Sequence, residues 1–163
     1  MTDAERPSMG ADWPLRALLV AGIAGALVDA VYFCGKALLT GDSPAAILQS
    51  IAAFWLGKDA FSGGLPSAAL GAATHVGLAI LMAAGFQAAR LRIAFLRRKF
   101  VAGGLAYGLF LYLLMYLVVL PARWPQLYPR FDGWGSVQDI AAHLAVGVCF
   151  AYFLSRPRAP GPA

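Results

Sequence analysis

Asp29, His75 and His143 are ionisable residues set inside hydrophobic runs long enough to cross a bilayer. A carboxylate or imidazole at that depth loses its hydration, so it turns toward a bundle interior and marks a polar site. Along the first run, Tyr32 or Phe33 and Lys36 follow Asp29 at the spacing of one helical face. In the last run Gln138, Asp139 and His143 lie toward one side, with Asp139 one turn above His143 and able to orient its ring. Tyr112, Met115 and Tyr116 fall at similar depth in the third run and offer hydroxyl and soft contacts, while Gln49 stands on a short helical segment above them. The candidate polar site is therefore Asp29, Tyr32, Lys36, Gln49, His75, Tyr112, Asp139 and His143.

Three chemistries fit these residue types. Asp29 and the histidines could form a proton-responsive path, because imidazole titrates near neutrality. His75 and His143 could instead ligate a haem axially, or hold a metal together with Asp29. In the third, both imidazoles serve packing alone through hydrogen bonds to Tyr, Thr or backbone groups. No CxxCH, P-loop, GxSxG or HExxH pattern occurs, so no catalytic motif is recognisable and no cofactor is specified.

The elements that must position these residues follow from composition. Of 163 residues, 60% are hydrophobic and 13% charged, against roughly 25% charged in ordinary soluble domains. The third run carries no charge, unlike a helix with one face in water. Spans are predicted at about Leu15 to Leu39, Leu65 to Ala89, Phe100 to Leu120 and Val137 to Leu154. The expected fold is all-α, a polytopic membrane protein with four transmembrane helices. The first run is too long for a signal-peptide core and holds Asp29 and Lys36, so it is expected to be retained. In the first outward loop Asp42-Ser43-Pro44 signals the start of a short interfacial or re-entrant helix over 44–56. Residues 121–135 read as an aromatic- and Pro-containing outward loop, and residues 1–14 and 155–163 as cytoplasmic tails.

Charge placement gives an expected orientation. Arg6, Arg16, Arg90, Arg92, Arg97, Arg98, Lys99, Arg156 and Arg158 fall on one side, and Lys36, Lys58, Arg123 and Arg130 on the other. The positive-inside rule then puts both termini in the cytoplasm. The basic stretch holds a single interleaved aromatic residue, Phe95, and lacks the run of stacking residues that nucleic acid calls for, which argues for lipid headgroups as its partners. Cys34 and Cys149 lie in different runs without metal-ligand spacing and read as packing residues. A weak internal repeat pairs Val20-Ala21-Gly22 with Val101-Ala102-Gly103, and Ala73-Thr74-His75-Val76 with Ala141-Ala142-His143-Leu144.

Several of these residues form a pattern that resembles the YagU-like group of bacterial inner-membrane proteins. The pattern comprises Thr74-His75 in an apolar helix, the basic connection Arg90 to Lys99, Gly103-Gly104 opening the next helix, Pro121 after it, and an acidic residue before Ala142-His143-Leu144. It also includes Asp29-Ala30-Val31-Tyr32-Phe33 and Gln49-Ser50-Ile51-Ala52. The resemblance implies a bacterial inner membrane and no settled activity, and this chain departs from it in a shorter first outward region. The expectation is a small membrane module with a polar intramembrane site, supporting proton-linked transport or sensing. A structural or assembly subunit, or a haem- or metal-binding redox protein, is the alternative. Four short spans enclose little cavity, so a homo-oligomer or larger membrane complex is expected.

Overall fold

A computed structural model describes residues 15–155, which are helical with short connections. The tails expected at 1–14 and 155–163 lie outside the described residues apart from Ser155. Four stretches are long and apolar enough to cross a membrane: Leu15–Thr40, Gly64–Arg92, Phe100–Arg123 and Trp134–Ser155. Helix is the form that satisfies every backbone N–H and C=O within its own segment, which hydrocarbon demands. The chain is a multi-pass membrane protein.

The first and second spans are α1 (Leu15–Thr40) and α3 (Gly64–Arg92), with the expected loop helix α2 (Pro44–Leu56) between them. Ser43 holds an extended backbone before Pro44, whose missing N–H costs nothing in a first turn, and Gly57 ends α2 at φ 61°. A 3-10 turn, Gly57–Phe61, then leads into α3. The basic connection is not a plain loop. It contains α4 (Ala94–Arg98), anchored by buried Leu96.

The third span differs from expectation at its end. It runs through α5 (Phe100–Leu114), a π turn (Met115–Val119) and α6 (Leu120–Arg123), so helix continues past Pro121 where a loop was expected. A proline ring collides with the carbonyl four residues back and removes one helical donor. The wider π turn immediately before Pro121 accommodates both, and such turns often stand at functional sites. The fourth span is α7 (Trp134–Ser155), beginning three residues earlier than predicted.

Helix α5 packs most extensively on α7, α1 lies against both α7 and α3, and α2 lies on α3. Between helices in lipid, close packing and hydrogen bonds replace the hydrophobic effect as the source of affinity. The α5–α7 seam shows this directly. A Cβ placed on Gly108 would strike the His143 carbonyl oxygen, and one on Gly147 would strike the backbone of Gly104 and Gly108. Gly104 and Gly108 thus admit α7, whereas the small residues of α1 serve other neighbours: Gly22 admits Ile80 of α3 and Gly25 admits Phe150 of α7. Leu27, Val31, Leu38, Leu81 and Phe110 point outward and are exposed, as lipid-facing residues are.

The apolar core, including Leu18, Phe86, Leu111, Val146 and Phe150, fills the half of the bundle nearer the basic connection. At that basic end Arg90 Nη1 donates to the Leu154 carbonyl at 2.5 Å and to Gln87 Oε1 at 3.3 Å, tying α3 to the last turn of α7. A cation here also meets the negative end of the helix dipole. Arg90→Met should therefore lower stability by about 1.5 kcal/mol, seen as a lower thermal midpoint in detergent. An unchanged midpoint would show that this tie carries no net energy.

Candidate functional site

Polar side chains occupy the other half of the bundle, where α1, α3, α5 and α7 leave the apolar core behind. The stripe on α1 divides between two neighbours. Tyr32 and Lys36 meet Asp139 of α7, while Asp29 and Phe33 meet His75 of α3.

Asp139 is the better satisfied of the two carboxylates. Its Oδ1 accepts the Tyr32 hydroxyl at 2.5 Å and lies 3.6 Å from Lys36 Nζ, and its Oδ2 accepts the Tyr116 hydroxyl at 2.7 Å. Lys36 Nζ also donates to Tyr32 Oη at 3.2 Å and stands 5.6 Å from the centre of that ring, within cation–π range. Two phenols and an ammonium thus replace the water that a carboxylate loses on burial. Tyr116 stacks on Tyr112 at a centroid distance of 4.5 Å and meets Tyr128 edge-on at 5.9 Å.

His143 does not use the Asp139 carboxylate. Its Nδ1 lies 2.8 Å from the Asp139 backbone oxygen, one turn earlier on the same helix. A carbonyl only accepts, so Nδ1 carries the proton and a neutral ring leaves Nε2 as an acceptor. The reason is local: an i−4 carbonyl points along the helix toward residue i, and the Asp139 side chain is committed to the phenols and Lys36. Tyr112 and Tyr116 present their rings to His143 at 5.6 and 6.1 Å. The Tyr112 hydroxyl is buried and has no hydrogen-bond partner among the described residues.

The second pair is looser. His75 Nε2 lies 3.1 Å from the Ala26 carbonyl and 3.8 Å from Asp29 Oδ2, so its proton is directed at the backbone and only flanks the carboxylate. Phe33 closes one side of the imidazole, edge-on at 5.1 Å. No hydroxyl or amide among the described residues hydrogen-bonds Asp29. Asp29 is nevertheless near enough to His75, His143 and Asp139 for their charges to act on it.

Seven of the eight predicted residues are gathered here. Gln49 stands apart, with its amide donating to the Gly64 carbonyl at 3.1 Å, where it helps dock α2 on α3. That docking is close because Gly71 lies against the Leu48 carbonyl, and Trp55 adds a bond from Nε1 to Thr74 Oγ1 at 2.9 Å. The metal candidates Asp29, His75 and His143 are not gathered as a ligand set. Among the described residues no group of three or more His, Cys, Asp or Glu is placed to hold a metal ion. The two histidines stand on α3 and α7, which make little contact, and each turns one ring nitrogen to a backbone carbonyl. Cys34 and Cys149 are free thiols.

Tyr116, expected from the sequence at this depth with a hydroxyl to offer but outside the candidate site, supplies one of the two phenols on Asp139. The available signal was Pro121, five residues later, which calls for a distorted turn in the preceding helix.

The fold and site define a class: a four-span helical membrane protein with an Asp/His/Tyr/Lys cluster inside its bundle. No family model, curated protein or solved structure matches the chain.

Proposed function

We propose that this protein is a small inner-membrane module in which protons exchange at Asp29 and His75 to drive transport or sensing. The observation that carries the reading is the inequality of the two carboxylates. Asp139 accepts from Tyr32 and Tyr116 and lies beside Lys36, whereas among the described residues Asp29 has His75 Nε2 alone, at 3.8 Å. Asp29, short of donors at mid-span, has the Nε2–H of His75 as its nearest source of a proton. His143, with one nitrogen fixed by the Asp139 carbonyl, offers the other as the next acceptor. Both termini facing the cytoplasm, a bacterial inner membrane, YagU-like kinship and assembly into an oligomer or larger complex belong to the same proposal. The skewed distribution of basic residues and the resemblance described above support it.

The test is proton movement in proteoliposomes carrying an internal pH dye. An imposed pH step should produce protein-dependent flux, and Asp29→Asn should reduce it by about tenfold or more, with folded yield retained. His75→Gln should have the same effect. Flux identical in wild type and Asp29→Asn would end the proposal. An assembly role would then be favoured by the saturated Asp139 cluster, which ties α1, α5 and α7 together.

A further inference from the structure

A cleft of about 370 Å³ opens between α1 and α7 beside the Lys36 ammonium, lined by Tyr32, Gly35, Lys36, Leu39, Thr40 and Gln138. Its size falls within the range of about 300–1,000 Å³ common for small-molecule sites. Lys36 is 39% exposed, against 19% for Asp139. An ammonium has three N–H donors. One is directed at Tyr32 Oη and a second toward Asp139 Oδ1, which leaves one for a group entering the cleft. Leu39 and the bare backbone of Gly35 supply an apolar wall, and Gln138 contributes an amide.

We propose that this cleft binds a small organic monocarboxylate, with its anionic group on Lys36 and Gln138 and its apolar body against Leu39 and Gly35. One free ammonium donor and one amide match the two oxygens of a carboxylate. A doubly charged phosphate would meet the same single cation with Asp139 close behind it. The proton linkage of this binding rests on the proposed function above.

Its sign follows from the charges facing the site. Asp29 and Lys36 come from α1, His75 from α3, Asp139 and His143 from α7, the Tyr112 and Tyr116 phenols from the third span, and from the adjoining loops Asp42, which accepts from Thr40, and Asp132, whose charge acts on Tyr32. A bound anion adds negative charge to this set, so it favours a proton on the Asp29–His75 pair. By reciprocity, acidification tightens anion binding. Anion and proton would thus be taken up together.

The experiment uses the full chain in nanodiscs of zwitterionic lipid, titrated calorimetrically with butanoate at about pH 6 and about pH 8, where an ordinary carboxylic acid stays ionised. Saturable binding is expected, tighter by about tenfold at the lower pH. Gly35→Leu should abolish it. A Cβ at Gly35 meets nothing within 4 Å, so the new side chain fills the cleft without disturbing the bundle. Lys36→Met should also abolish binding, and Lys36→Arg should restore it in part. Absence of saturable binding to the wild type, or equal binding by Gly35→Leu, overturns the assignment. Displacement of butanoate by phosphatidylglycerol in the disc, by more than surface charge explains, reassigns the cleft to a lipid headgroup and also overturns it. Binding that Gly35→Leu blocks but pH leaves unchanged upholds the cleft and rejects the proton reading alone.

Discussion

Asp139→Ala should be the most destabilising single change at the polar site, costing about 3–4 kcal/mol and sharply reducing the folded fraction recovered in detergent. The carboxylate is the common acceptor for Tyr32 and Tyr116 and the counter-charge of Lys36. Removing it strands two phenolic donors and leaves the partly exposed Lys36 ammonium with Tyr32 Oη as its remaining partner. The loss also releases three helices at once, because these partners come from α1 and the third span. Much of the cost is that of the stranded donors, with a smaller share from the ammonium, which solvent partly screens. Lys36→Met placed on Asp139→Ala should therefore recover part of the stability, a coupling that a double-mutant cycle measures directly. A melting midpoint of Asp139→Ala within error of the wild type would show that the cluster is not structural.

Gly108→Leu should have the second-largest effect, about 3 kcal/mol, together with separation of α5 from α7. The obstacle is backbone: an added Cβ meets the His143 carbonyl oxygen and the Leu144 Cα, neither of which can turn aside as a side chain could. Moving α5 outward also carries Tyr112 and Tyr116 away from His143 and Asp139, so the polar site should open as the seam does. Gly77→Leu is the matched control, since a Cβ there meets nothing within 4 Å. Comparable thermal midpoints for the two leucine variants would refute the close-packed seam.

Much of the architecture was legible because the bilayer imposes simple requirements. Long apolar runs must be helices in hydrocarbon, and Ser43-Pro44 can start only a short one between the first two spans. The expected ends of the spans lay within a few residues of the observed ones, except where the π turn carried helix through Pro121 to Arg123. Gly104 and Gly108 mark a close helix contact by their size alone, and the structure makes α7 the partner. A small-residue motif records that something approaches, and it carries no name for the neighbour.

The same division holds at the site. By itself the sequence determined that Asp29, His75, Asp139 and His143 are exceptional, because the cost of a polar group in lipid depends on its type and depth, both of which are local. Spacing also placed Asp29, Tyr32 and Lys36 along one face of α1. Only the tertiary structure decided that the face is shared between two helices, that Asp139 is saturated while Asp29 is not, and that Gln49 belongs to the α2–α3 contact. Those outcomes depend on which side chains compete for the same few donors and acceptors in a dry interior, and that competition is settled by packing across helices far apart in the chain.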